Sequence, residues 1–226
     1  MPHWIQLMVD SLVPLLWAGL VFTIPLTILS FTFGLTLGLV TAIGRLFGAK
    51  PVAAIARFYV WVIRGTPLLV QLFVIFYGLP SIGILLDAFP AALIGFTLNI
   101  GAYSSEIIRA VISSVPKGQW EAAYSIGMSW RQAMLRTILP QAARVAVPPL
   151  SNTFISLVKD TSLAAAITVP ELFQAAQRIV ATTYEPLILY IEAALIYLAL
   201  CSVLSTVQVR LERRFARYGG MMESNA

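Results

Sequence analysis

Long apolar runs separated by short polar breaks organise this chain. No charged residue occurs across the 33 positions from Leu12 to Gly44, and about 20 mostly apolar residues are enough to cross a hydrocarbon core. The pattern predicts one long or broken span over 12–44, with Pro14 marking its start and Pro25 a kink. Further runs predict spans over 57–77, 88–112, 145–167 and 186–209. The second contains Arg64 and the breaking sequence GTPLL, in which Pro67 restricts Thr66 to extended conformations. Lys159 and Asp160 interrupt the fourth. A buried re-entrant hairpin there would reduce the count to four, and a span lining a cavity is the preferred reading. The expected fold is an all-α integral membrane protein with five transmembrane helices.

One stretch breaks the alternation. Residues 116–140, PKGQWEAAYSIGMSWRQAMLRTILP, are polar and Ala-rich and as long as a span. Trp120, Ala123 and Met128 are spaced for a partly apolar helical face, so a short helix is expected over 119–131. Glu121 falls in its first turn, where the helix dipole favours an acid. Gly127 is placed either to end that helix or to permit close approach, and Pro140 marks the start of the next span. On these residues alone a docking helix and an amphipathic surface helix are both open.

Composition supports the membrane class. Of 226 residues, 59% are hydrophobic and 11% charged, against about 25% charged in soluble domains. The net charge of +5 resides in the connections. Arg45, Lys50, Arg57, Lys117, Arg131, Arg136, Arg144, Arg210, Arg213, Arg214 and Arg217 fall on one side of a five-span topology, and the other holds only Arg178 with Asp87, Glu171 and Glu185. The positive-inside rule then predicts an N-out, C-in orientation with the 113–144 loop in the cytoplasm, and no nucleic-acid partner is needed to explain the basic charge. The opening residues MPHWIQLMVDS lack a basic n-region and a small-residue cleavage site, so the first run is expected to be retained as a span. His3 and Cys201 stand alone, without metal-ligand spacing or a disulfide partner.

Polar groups at membrane depth are the candidate chemistry. Asn99 lies near the middle of the third span, either as interhelical glue or on a substrate path. Lys159 and Asp160 point about 100° apart on a helix and together offer an ammonium and a carboxylate, complementary to a zwitterion. A structural ion network is the competing reading, because an isolated charge at depth costs about 2.5 to 3.5 kcal/mol on insertion scales. Glu106 and Arg109, three apart on one face, suit a salt bridge. Arg64 either snorkels to the interface or holds a helix break where a gate forms, and Gln71 lies one turn deeper.

With these residues in view, the polar stretch resembles the EAA loop of binding-protein-dependent ABC importer permeases. Glu121, Ala122, Ala123, Gly127, Ile138, Leu139 and Pro140 match its pattern in spacing and identity. IRGTPLLVQLF, AYSSEIIRAVISSVPKGQWEAA and PPLSNTFISLVKDTSLA resemble the polar-amino-acid branch of that family, nearest in flavour to cystine permeases, and the likeness covers nearly the whole chain. Ala110 departs from the pattern, standing where a Gly commonly follows the Arg matching Arg109.

The resemblance implies a single transmembrane domain over residues 1–226, a permease subunit in the bacterial inner membrane for an ATP-driven importer of polar amino acids, and not an enzyme. It implies two ABC ATPase subunits, a second permease copy or a sister permease, and an extracytoplasmic substrate-binding protein as partners, within membrane lipid. The helix at Glu121–Gly127, with Pro140 behind it, would be the coupling helix, and Gln71, Asn99, Lys159 and Asp160 the positions on the substrate path. Arg64, Pro67, Glu106 and Arg109 remain structural or gating candidates. No GxxxxGK[ST] phosphate loop is present, so no cofactor is expected on this chain, ATP and magnesium being used by the partner ATPase. A secondary transporter or channel using Lys159, Asp160 and Glu106, and a membrane scaffold recruiting a cytoplasmic partner, are the alternative classes.

Overall fold

The computed structural model describes residues 2–219, with the side chains of Leu211 and 213–219 outside that description. The tail cations Arg213, Arg214 and Arg217 are therefore outside the described side chains. The described residues form helices and no strand.

The first element, α1, is continuous over His3–Phe47, 45 residues. At about 1.5 Å per residue it is roughly 68 Å long, more than twice the ~30 Å hydrocarbon thickness. Pro14 lies inside it and does not mark its start. The expected irregularity before Pro25 is a π-helical turn at Gly19–Thr23. The same arrangement recurs at Val74–Gly78 before Pro80 and at Met134–Ile138 before Pro140. Each wide turn ends two residues before a proline, whose ring clashes with the carbonyl four residues back and which has no N–H to donate. Widening the turn accommodates both defects without breaking the helix.

The expected second span is two arms. Helix α2 (Lys50–Gly65) and helix α3 (Leu68–Ile82) meet at a bend of 106°. Thr66 is extended, as the preceding-proline restriction requires, and Pro67 is the N-cap of α3. Helix α4 (Ala88–Ser114) is the most buried of the long apolar helices. By length and composition three of the described helices can cross a membrane, α1, α4 and the stretch Pro186–Arg210, or four if the bent pair is one broken span.

The polar stretch forms two helices where one was expected over 119–131. Helix α5 (Lys117–Ser125) stops at Gly127, and α6 (Trp130–Ala133) begins behind a Ser129 capping box. The π-helical turn leads into α7 (Leu139–Asp160), and a 3-10 turn follows at Thr161–Ile167. Helix α8 (Leu172–Thr183), an element the hydropathy pattern does not reveal, precedes α9 (Pro186–Gly219).

The tightest packing joins α1 to α4. A Cβ at Gly34 would lie 2.6 Å from Ile100 Cγ2, and one at Gly38 would lie 2.8 Å from Ser104 Cβ and 3.0 Å from the Gly101 carbonyl oxygen. This is small-xxx-small packing, in which backbones approach because nothing intervenes. One apolar cluster gathers Leu26, Leu72, Phe96, Leu157 and Ile167, and a second gathers Ala42, Ile108, Ile112, Met134 and Ile138 near α5. Outward faces carry exposed large apolar side chains such as Ile55, Trp61, Leu187 and Val203, the arrangement that lipid contact requires.

Glu171 is not a free loop charge. It is fully buried and caps α8, accepting from Gln174 N–H at 2.7 Å and Phe173 N–H at 3.0 Å. The Tyr197 hydroxyl of α9 donates to it at 2.7 Å, and Thr23 Oγ1 accepts from Leu172 N–H at 3.2 Å. These bonds join α1, α8 and α9.

Candidate functional site

The 106° bend opens a cavity of about 550 Å³ between the end of α2, the start of α3, and the facing sides of α4 and α7. Two polar stripes line it. On α4 they are Asn99, Tyr103 and Glu106, and on α7 Asn152, Ser156 and Asp160, with Thr153 beside them. Spacings of three and four residues place each stripe on one helical face. Arg64, Thr66 and Pro67 supply the wall at the bend.

Gln71 supports this wall without lining the cavity. Its side-chain amide donates to the Ile63 carbonyl oxygen at 2.7 Å and to Thr66 Oγ1 at 2.9 Å. Its own oxygen accepts from Asn99 Nδ2 at 3.5 Å. One side chain therefore satisfies a carbonyl left open at the end of α2 and reaches the buried Asn99 of α4.

Glu106 gathers three arginines. It is paired with Arg45 of α1, and Arg109 donates to its Oε2 through Nε at 3.1 Å and Nη2 at 2.9 Å. Arg64 Nη1 stands 3.8 Å from Oε1, and its guanidinium lies 5.2 Å from the centre of the Tyr103 ring. The expected Glu106–Arg109 bridge is present as part of this larger cluster. The cluster ties three helices together and leaves an excess of positive charge beside the cavity.

Lys159 and Asp160 part company. Asp160 faces the cavity and Lys159 is exposed outside it, with no carboxylate within salt-bridge distance among the described residues. The adjacent pair is thus not one zwitterion clamp, because neighbouring side chains diverge by about 100° on a helix.

Helix α5 is seated by its inner face. Ala123 is buried, Trp120 and Trp130 pack around Phe47 of α1, and Gln141 Nε2 donates to Gln119 Oε1 at 2.9 Å. Glu121, Ala122, Tyr124 and Ile126 face outward. The helix ends in a Schellman motif, with Gly127 N–H donating to the Tyr124 carbonyl at 2.9 Å and Met128 N–H to the Ala123 carbonyl at 3.1 Å. Gly127 has a φ of +80° and open space where a Cβ would be. Within this chain the glycine serves the backbone turn and no close contact. Pro140 is exposed two residues beyond the π-helical turn.

Residues 34–217 match the family described as binding-protein-dependent transport system inner membrane component. The chain belongs to that family. The permease is 57% identical over 214 residues to the L-cystine transport system permease protein TcyB of Bacillus subtilis, covering 94% of this chain and 92% of that one. It is 44% identical over 205 residues to the probable amino-acid ABC transporter permease protein YckA of the same organism, covering 91% of each. A crystal structure of an amino acid ABC transporter with histidines matches with a TM-score of 0.88 at 36% identity, over 95% of this chain and 99% of that one. The chain is accordingly a permease subunit of a binding-protein-dependent amino-acid importer in the inner membrane. Permease subunits of this kind are not themselves enzymes.

Some site residues were not evident from sequence. Arg45 reads there only as a topology cation, yet it pairs with a glutamate 61 positions away. Tyr103, Asn152 and Ser156 carry no signal of their own in the sequence, although the Asn152, Ser156, Asp160 spacing is visible once α7 is taken as a helix.

Proposed function

We propose that this permease carries polar amino acids, cystine among them, through the cavity at the α2–α3 bend. The observation that carries the cargo reading is the 57% identity, over nearly the full length, to a cystine permease. The cavity's mixed lining of arginine, carboxylate, amide and hydroxyl groups suits a small zwitterion.

The single transmembrane domain spans residues 1–226 and crosses the membrane five times, N-out and C-in. The α2–α3 pair acts as one broken span, and α7 with its 3-10 turn is the cavity-lining span that Lys159 and Asp160 interrupt. The clustering of basic residues in the 113–144 loop and the other connections on its side supports this orientation. Helix α5 then faces the cytoplasm, and its outward residues Glu121, Ala122, Tyr124 and Ile126 form the surface that docks in an ABC ATPase. Two ATPase subunits, a second permease copy or a sister permease, and an extracytoplasmic binding protein complete the machine, with ATP and magnesium held by the ATPase. Closure of the ATPase pair moves α5, and the arms at the α2–α3 bend and the Glu106 cluster transmit that motion to the cavity. Such coupling requires two states with different contacts in each.

Reconstitution tests the reading directly. Proteoliposomes holding the permease, its ATPase and its binding protein should accumulate labelled L-cystine only when every component and ATP are present. Uptake by the permease alone under an ion gradient would refute it.

A further inference from the structure

Glu192 is a buried acid left short of donors. It lies on α9 within the apolar stretch Pro186–Arg210 and is 3% exposed. The Ser11 hydroxyl of α1 is in hydrogen-bond contact with its Oε2. That hydroxyl has one hydrogen to give, and the Leu7 carbonyl oxygen competes for it at 2.7 Å. Oε1 has no partner among the described residues, and none of their cations pairs with the acid. Buried Glu171 is the contrast, with both oxygens bonded by Phe173, Gln174 and Tyr197. An acid at membrane depth with an open acceptor calls for a partner.

Glu192 also forms part of the wall of a groove of about 570 Å³ between α1 and α9, away from the cavity at the α2–α3 bend. The other described lining residues are apolar, Met8, Leu12, Leu16 and Leu195 among them, and exposed Trp4 at the start of α1 lies along it. Tryptophan at a helix end is a headgroup-level anchor, and Glu192 is only about 9 Å along α9 from Pro186. We propose that this groove binds phosphatidylethanolamine, with an acyl chain along the apolar wall and the lipid ammonium hydrogen-bonded to Glu192. The groove offers a long apolar wall and a single acidic acceptor near one end, which complements a lipid chain carrying a cationic donor. A choline headgroup has the same charges but no N–H, and a glycerol headgroup has hydroxyls but no cation. The acid thus selects the headgroup, while the wall accepts any chain.

The test places the purified permease–ATPase complex in nanodiscs and titrates in phosphatidylethanolamine or phosphatidylcholine with brominated chains, which quench nearby tryptophan. The signal that disappears in Trp4→Phe reports the groove. It should be quenched by the ethanolamine lipid at about 10-fold lower content than by the choline lipid, the ratio expected for one hydrogen bond to a charged group. Glu192→Met should abolish that preference and leave quenching by the choline lipid unchanged. Ser11→Ala should keep the preference, because both carboxylate oxygens remain. Leu12→Trp, which fills the groove from its exposed side, should weaken quenching of Trp4 by both lipids. ATPase co-purification monitors assembly of each variant. Equal quenching by the two lipids in the wild type overturns the proposal, as does a preference that survives in Glu192→Met. Loss of the preference in Ser11→Ala to the same extent as in Glu192→Met also overturns it, because the pair then only holds α1 to α9. Absence of quenching by either lipid, with Met8→Cys cross-linking two permease copies, would assign the groove to a second copy and overturn the lipid site.

Discussion

Gln71 reaches back across a 106° bend to bond the Ile63 carbonyl oxygen at 2.7 Å. The next helix thereby caps the one before it. Gln71→Leu removes the donor and leaves that carbonyl and Asn99 short of partners, at a cost of about 1 to 3 kcal/mol for a buried unsatisfied group. Thermal unfolding of the purified complex should show the loss, and uptake should fall further than stability because the bend frames the cavity.

Glu106 is the common anion of three arginines, and Glu106→Gln leaves them facing one another. Loss of hydrogen bonds to a charged group predicts about 1.5 to 3 kcal/mol of destabilisation. Adding Arg45→Gln should recover part of it, because one repelling cation is gone. A double variant less stable than Glu106→Gln alone would show that the arginines do not repel in this way.

Gly38 predicts a steric failure of another kind. Its missing Cβ leaves room for the Gly101 carbonyl and Ser104, and neither backbone can retreat without shifting a helix. Gly38→Leu should cost about 1 to 3 kcal/mol as overpacking, read as a lowered unfolding temperature. Gly65→Ala, where a Cβ meets nothing within 4 Å, is the control and should leave stability close to wild type.

At the proposed coupling surface two substitutions should part. Glu121→Ala leaves α5 seated, because Trp120, Ala123 and Gln119 hold its inner face. Its predicted effect is weakened ATPase co-purification or transport-coupled hydrolysis with normal membrane abundance. Gly127→Ala forces a Cβ into a left-handed conformation at about 1 to 2 kcal/mol, and should disturb coupling by unsettling the Schellman turn. Unchanged abundance, co-purification and coupled hydrolysis in Glu121→Ala would remove that residue from the coupling surface.

Local chemistry was well written in the chain. Hydropathy placed α4 within two residues of its observed end and found the start of α9 at Pro186. Thr66–Pro67 announced the break, though not its angle, since a proline restricts dihedrals and the packing of α3 on α4 decides direction. What escaped was convergence over distance. Arg45 and Glu106 lie on helices joined by two others, and no periodicity links them. Glu171 resembled a solvated loop acid because its cap and its Tyr197 partner exist only after folding. The helix at 119–131 was overextended because an apolar spacing continued past Gly127, where the left-handed turn stops it.

The three wide turns before Pro25, Pro80 and Pro140 also set the phase of everything beyond them. A π-helical turn holds one more residue than an α-helical turn, so the helix downstream is rotated by about 100° relative to an uninterrupted one. The Asn152, Ser156, Asp160 stripe lies beyond such a turn, and its direction depends on that extra residue. A one-residue deletion within Met134–Ile138 would return the turn to α geometry and swing the stripe away from Asn99 and Tyr103, with every polar side chain retained. In this chain a proline distant from the cavity acts as a counter of register, so the cavity is exposed to frame-preserving deletions that alter none of its lining.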